Sequence, residues 1–529
     1  MRNAGWWAAI LATAAYGQLP TPTPPQQPLA ALGLIEAIKS TLAHHPLLFV
    51  QEQQVAFDRG VAQQQAGLFD PVFADSASYV RSNQPLTKYQ QSQAQAVGIT
   101  INDVPANLAD LTSSYQRLFR NGISISPQLT INHTGDPLQN LTGTNITSAE
   151  FTLTIPFLRG RGRDVVAAQE TAANVEVAAS GLDLSQEAAN LMEQCTEAYW
   201  DLRAAQLAYQ VALESEQRGQ VFLDAARTLV DADKVARNEL NQVVANLAER
   251  ASTRLAALQN VVAARQQLAL AMGIGYDQLA AMDATLSDDL PNGENVSMPS
   301  DDPADIQYYL SQTMLNRADV LAAAKREDEA RGLVVAAKNL VEPTLNLSLS
   351  GGYTGLREGH RPDQYLLSLY GLHGPDASAA LTYSFPQGRD TAYGQLAQSV
   401  ASVRQAELKK FETQRQVSSG VIVALGAIRN SISRLTKARE SVEAYERALQ
   451  GERDKWRLGI GSLIDILTME DRLTAAQNDQ VSAKLAYAVA VAQFRLATGT
   501  LMAPDKPVQN IERVTFETLP FTGRPRSNP

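Results

Sequence analysis

The sequence predicts a mainly α-helical chain with a smaller β component. Long coiled-coil helical hairpins carry short amphipathic strands of the kind that cross a bilayer. Three observations predict this: the chain is written twice, each copy holds a long proline-free stretch, and four short segments alternate apolar with polar residues.

The duplication comes first. Shifted by 272 residues, Arg59-Gly60 falls on Arg331-Gly332 and Asp70-Pro71 falls on Glu342-Pro343. Shifted by 226, Gly162-Arg163-Asp164 falls on Gly388-Arg389-Asp390, and "LAMG" ending at Gly273 meets "LATG" ending at Gly499. Agreement at both ends of the second shift means hairpins of equal length. The offsets differ because the stretch before those hairpins is longer in the first copy. Each copy has one order: a medium helix (about 47–68, then 318–340), an alternating region, a very long helix (about 164–230, then 390–457), a turn and a shorter helix (about 236–272, then 462–498). Proline is absent from 157–290 and from 387–503, which leaves these helices unbroken. At ~1.5 Å per residue the long helix spans on the order of 100 Å. Val421, Leu425, Ile428, Ile432, Leu435, Val442, Tyr445 and Leu449 recur at spacings of 4, 3 or 7, a coiled-coil seam.

From the N-terminus, 1–17 reads as a secretory signal, with Arg2, an apolar run from Trp6 and an Ala15-Tyr16-Gly17 ending. A Pro-rich segment (18–29) precedes the first repeat (30–282). An acidic linker (283–303) leads to the second repeat (304–501), and a tail (502–529) ends the chain. No apolar run reaches the ~20 residues of a membrane helix, so entry into a membrane requires strands.

Four segments carry that pattern. Phe151, Leu153, Ile155 and Phe157 alternate with Thr152 and Thr154; Leu345, Leu347 and Leu349 with Asn346, Ser348 and Ser350; Leu381, Tyr383 and Phe385 with Thr382 and Ser384. "DPVFADSASYVRS" from Asp70 is the weaker fourth. Each is about as long as a strand that crosses a bilayer, ~9–11 residues, and a soluble sheet with one buried face is the alternative. Four strands cannot close a membrane barrel, so several chains must pool them. "GISISPQLTINHT" from Gly122 and "AVGITIND" from Ala96 are expected as an extra hairpin in a long external loop. The glycines of "RGRGR" permit the turn from strand to helix.

Composition agrees. Hydrophobic residues are 45% and aromatics only 6%, which suits closely packed helices better than several compact cores. A formal net charge of −10 argues against a nucleic-acid partner. The single cysteine, Cys195, excludes an internal disulfide and reads as small packing filler in the long helix. The five histidines lack metal-ligand spacing, and no phosphate loop or nucleophile elbow is present, so neither cofactor nor catalysis is expected.

The opening "LGLIEAIKSTLAHHPLL", the strand exit "IPFLRGRGR" and, most specifically, "WRLGIGSLIDILTMEDRLTAAQNDQVSAKLAYAVAVAQFRLATGTL" from Trp456 resemble the TolC family of outer-membrane efflux proteins, over about 30–501. The resemblance implies a homotrimer that pools four strands per chain into a 12-stranded barrel in outer-membrane lipid. The helices would continue as an α-barrel in the periplasm. A periplasmic adaptor would dock at the helical tip and link it to an inner-membrane transporter of the RND, ABC or MFS type. The implied function is a passive exit duct. A type I protein-secretion channel and a periplasmic coiled-coil scaffold without a pore are the alternatives.

At the shift of 226, Glu239 falls on Asp465, each just past a predicted turn. An acid at one height in an oligomer repeats as a ring, which attracts cations. Asp465 matches the family's acidic constriction residue. Thr468 stands where a second acid is usual, and Gly461 where some members carry a base, which implies a looser gate. Adaptor contacts are expected around Arg457–Leu463, with Gly459, Gly461 and Ser462 making the turn.

Overall fold

The computed structural model describes residues 32–520 except 97, 99, 101, 136–142, 232–236, 282–284, 294–297, 360–367, 459 and 503–512. The expected signal (1–17) and Pro-rich segment (18–29) lie outside the described residues. In chain order the helices are α1 (Leu34–His44), α2 (Pro46–Ala66), α3 (Lys88–Ala96), α4 (Arg163–Val166), α5 (Ala168–Asp231), α6 (Arg237–Ala271), α7 (Pro303–Asn316), α8 (Ala318–Leu340), α9 (Asp390–Arg457) and α10 (Leu463–Ala497). The strands are β1 (Val72–Pro85), β2 (Asp103–Leu118), β3 (Ser124–Gly135), β4 (Thr144–Pro156), β5 (Thr344–Glu358) and β6 (Leu372–Ser384).

The repeat offsets reappear in the element boundaries. Shifted by 226, Asp231 at the end of α5 falls on Arg457 at the end of α9, and Arg237–Ala271 falls on Leu463–Ala497. Shifted by 272, Pro46 falls on Ala318, the first residue of α8, and Val72 on Thr344, the first residue of β5. Both short helices close in the same way. Gly273 and Ile274 donate to Leu270 O and Ala269 O at 3.0 Å; Gly499 and Thr500 donate to Leu496 O at 3.1 Å and Arg495 O at 2.9 Å. These paired bonds satisfy the carbonyls that a helix end leaves over.

Two compact units divide the chain, and they cut across the repeats. The first holds Met1–Phe49, Glu187–Leu310 and Val421–Pro529. Its core gathers Leu34, Ile38, Met192, Tyr199, Trp200, Leu268 and Phe516, with Cys195 fully buried among them. The Tyr199 hydroxyl has Leu32 O (2.9 Å) and Asp288 Oδ2 (3.1 Å) within reach of its single proton and accepts from Asp288 N at 3.3 Å, so the buried phenol is satisfied. A second cluster holds Val421, Leu425, Ile428 and Leu435 of α9 against Tyr487, Val491 and Phe494 of α10, with Ile432 beside them. Val442 and Leu449 continue the stripe in a third cluster, with Tyr445 beside them. The predicted seam is therefore buried along its length.

The second unit holds Val50–Gln186 and Ser311–Gly420. It contains one antiparallel six-stranded sheet in the order β1-β2-β3-β4-β5-β6. The fold class is as the sequence predicted, but the strand count is not. The expected four strands and separate external hairpin give way to six strands in one ladder. β2 and β3 lie between β1 and β4 and pair with both neighbours. "AVGITIND" is not a strand: α3 ends at Ala96 and β2 begins at Asp103, with Val97, Ile99 and Ile101 outside the described residues. The partner of β3 is instead 103–118, whose weak alternation hid it.

At the strand exit, Gly160 (φ +81) and Gly162 (φ +94) take backbone conformations that side chains rarely adopt. Gly160 N donates to Asn339 Oδ1 at 2.7 Å, and Gly162 N to Asn121 O at 3.1 Å. The second copy makes the corresponding turn with Arg389 at φ +48. Its guanidinium lies 4.0 Å from the Phe385 ring centroid and donates to Val341 O at 3.2 Å, which supports a conformation unusual for a non-glycine residue.

Candidate functional site

No helix among the described residues is long and apolar enough to cross a membrane. The strands have the length to do so: 14, 16, 12, 13, 15 and 13 residues for β1 to β6. Residues directly opposite one another in a ladder share a face, so the register sorts every side chain.

One face carries Phe73, Ala77 and Tyr79 of β1, then Ala109, Leu111 and Tyr115 of β2. It continues through Ile125, Pro127, Leu129 and Ile131 to Ala149, Phe151 and Leu153. Leu345, Leu347, Leu349 and Tyr353 of β5 follow, then Ala379, Leu381 and Tyr383 of β6. The Phe73 and Tyr115 rings meet edge-on at 4.8 Å. The face is not uniformly apolar: Asp75 accepts a 2.5 Å bond from Ser113 Oγ on it, and Arg81, Asn107, Arg117, His133, Asn145 and Thr147 fall on it as well.

The other face is mostly polar, with Val80, Leu108, Ile146 and Leu356 as large apolar members. It carries Ser76, Ser78, Asp110, Thr112, Ser114, Gln128, Thr130, Asn132, Ser148, Glu150, Thr152, Thr154, Ser348, Ser350, Thr354, Asp376 and Ser378. Short bonds link neighbours across it: Thr354 Oγ1 to Asp376 Oδ2 (2.6 Å), Ser350 to Ser378 (2.7 Å) and Ser78 Oγ to Asp110 Oδ2 (3.3 Å). The β2–β3 ladder lapses opposite Pro127, between Ser114↔Gln128 and Arg117↔Ile125, because proline has no N–H to donate. The strand order begins at β1 and ends at β6, so each presents one unladdered edge among the described residues.

The second candidate region is the pair of interhelical turns in the first unit. Leu463 is buried at 4% exposure with Leu223, Ala226 and Val243, flanked by Leu240 and Trp456. The end of α5, the start of α6, the end of α9 and the start of α10 meet there. Leu463, one of the expected contact residues, therefore packs inward at this turn. The exposed apolar side chains of the turn are Leu458 and Ile460, each at 76%. A Cβ on Gly461 would sit 2.7 Å from Trp456 N, so only glycine fits against the end of α9. Ser462 caps α10, accepting from Ile464 N at 3.2 Å. Arg457 is exposed and pairs with Asp454 at 3.4 Å. Gly459 lies outside the described residues.

Glu239 and Asp465 each sit in the first turn of their helix, where the helix dipole favours an acid. No hydrogen bond or ion pair joins them among the described residues. The Asp465 charge, after the larger effect of a hydrogen bond to Glu452, helps hold the Lys455 ammonium above its usual value. Thr468 donates to Ile464 O at 2.8 Å, back-bonded to its own helix.

Sequence reasoning missed a charged network just inside the turn. Glu470, 6% exposed, accepts from Arg218 Nε at 2.9 Å and from Arg453. Arg250, equally enclosed, reaches Asp471 at 2.9 Å and Ser215 O at 3.0 Å. Arg218, Arg250, Arg453 and Glu470 border a cavity of about 570 Å³ that is also lined by Phe222 and Trp456. The repeat gave no signal for it: the shift of 226 places Val244 opposite Glu470 and Ala245 opposite Asp471.

Comparison with known proteins agrees with the expected resemblance. Residues 309–500 match the family "Outer membrane efflux protein". The chain is 24% identical over 283 residues to the outer membrane protein TolC of Escherichia coli strain K12, covering 51% of this chain and 52% of TolC. The match thus spans about half the length of that curated relative. Among solved structures, the outer-membrane channel OprN superposes with a TM-score of 0.63 at 17% identity, covering 88% of this chain and 90% of OprN. The Campylobacter jejuni outer membrane channel CmeC gives 0.62 at 15% identity, covering 90% and 87%.

Proposed function

We propose that this chain, which carries the outer membrane efflux protein signature over 309–500 and the fold of TolC-like channels, is the exit duct of a tripartite efflux system in a bacterial outer membrane. One observation carries the reading. The sheet has a largely apolar and a largely polar face across six strands, and it ends in two unladdered edges. Such a ribbon is stable in lipid only when copies of it seal edge to edge, because an unpaired backbone edge in hydrocarbon costs several kcal/mol per group (about 2–7). A homotrimer provides the closure, with the apolar face toward lipid and the polar face toward a water-filled lumen.

Conduction through such a duct is passive and needs no catalytic group. The long helices form its periplasmic extension. Glu239 and Asp465, repeated by the trimer axis, ring the periplasmic entrance and favour cations. Thr468 in place of a second acid leaves that constriction weaker. The exposed Leu458 and Ile460, with Arg457, Gly461 and Ser462 shaping their turn, are the contact surface for a periplasmic adaptor, which couples the duct to an inner-membrane transporter of the RND, ABC or MFS type.

Fractionation of cells that express the full chain tests this. The expected result is recovery with the outer membrane and release only by detergent. Release into the soluble periplasmic fraction would leave a helical scaffold as the better reading.

A further inference from the structure

We infer that the β2–β3 hairpin is part of the membrane wall, so that three copies of this chain close an 18-stranded barrel rather than a 12-stranded one. This rests on the exit-duct reading and adds the size of its pore. Four observations carry it.

The first is continuity. Fourteen residue pairs join β1 to β2, and eleven join β3 to β4, so removing the hairpin would leave β1 and β4 without a shared ladder. The second is length. β2 and β3 have 16 and 12 residues, enough for the ~9–11 that a crossing strand needs.

The third is sidedness. Leu111, Leu129 and Ile131 fall on the face of Phe151, Leu349 and Leu381, whereas Thr112, Gln128 and Thr130 fall on the face of Glu150, Ser350 and Ser378. A hairpin lying in water outside the barrel has no reason to keep that sorting.

The fourth is the repeat itself. The two offsets differ by 46 residues, and the surplus lies between Pro71 and Gly162. In the second copy β5 and β6 are direct neighbours; in the first, their counterparts β1 and β4 are separated by β2 and β3. The surplus therefore adds one whole up-and-down pair to the sheet. Because the pair is even, β1 and β6 still run in opposite directions, so β6 of one copy can meet β1 of the next antiparallel. Barrel diameter grows roughly in proportion to strand number, so the lumen is ~1.5-fold wider and its cross-section about twofold larger than with twelve strands.

The test uses the full chain reconstituted in phosphatidylcholine vesicles whose acyl chains carry a nitroxide quencher. Single-cysteine variants Leu111→Cys, Leu129→Cys, Thr112→Cys and Thr130→Cys carry a bimane label. Leu349→Cys and Leu381→Cys serve as references on β5 and β6, and buried Cys195 stays unlabelled. Labels at 111 and 129 should be quenched as strongly as those at 349 and 381, and several-fold more than those at 112 and 130. Quenching at 349 and 381 alone would place the hairpin outside the wall and overturn the inference while the exit duct stands. No quenching at any position would remove both. The native mass of the same complex should equal three chains; two chains would make a 12-stranded wall and overturn the count of eighteen.

Discussion

Glu193 illustrates how single residues set the behaviour of the helical core. Burial pushes its carboxyl up to about 7; the neighbouring Glu197 charge adds to this, and a hydrogen bond with Gln493 opposes it. The folded chain therefore holds this proton more tightly than the unfolded chain. Its contribution to stability is complete below the unfolded value near 4.5 and is lost as pH rises through about 7. Glu193→Gln should melt a few degrees above the parent at pH 8 and level with it at pH 4.5. Equal shifts at both pH values would rule out the buried charge as the cause. Asp465 poses a functional question at the same scale. If it rings the entrance, Asp465→Ala raises single-channel conductance or leak by a measurable factor, and unchanged currents would remove it from the gate. The sequence placed Asp465 at a helix start and the structure keeps it there, exposed. It could not show that Leu463 turns inward, because burial at the turn depends on four helix ends that are distant in sequence.

Between elements, the packing of α5, α9 and α10 near their turn depends on Glu470 as well as on apolar contacts. Its carboxylate is enclosed and receives both Arg218 and Arg453. Removing one partner of a buried charged set leaves the others uncompensated, at a cost of about 3–5 kcal/mol. Glu470→Ala should therefore lower the melting temperature and speed proteolysis near Trp456. A loss below about 1 kcal/mol, the range of exposed ion pairs, would show that the network is solvated. Helices were the most legible elements. Proline-free runs and the shift of 226 fixed α5, α6, α9 and α10 almost to the residue. The α9 seam was read directly from its spacing. β2 was illegible because "NLADLTSSYQR" mixes Asn107, Ser113 and Arg117 into the same face as Leu111 and Tyr115, and only its partners in β1 and β3 define its sides. β3 was visible as a strand but was set apart in a loop, since a long gap between strands looks the same whether it lies outside a sheet or inserts into it.

For the whole molecule, the decisive property is that one chain cannot finish its own sheet. β1 and β6 present long, exposed edges, a hazard that soluble proteins cover or shorten. In the proposed duct those edges are the reason for oligomerisation. The duplication made that legible in outline, because two similar halves each supplied strands too few to close. The size of the wall needed the ladder order. Planar-bilayer recording of the purified, detergent-extracted full chain tests the central claim most directly. The account predicts discrete, long-lived conductance steps from an oligomer, reproducible from insertion to insertion. A monomer that stays soluble without detergent and leaves the bilayer silent would contradict it.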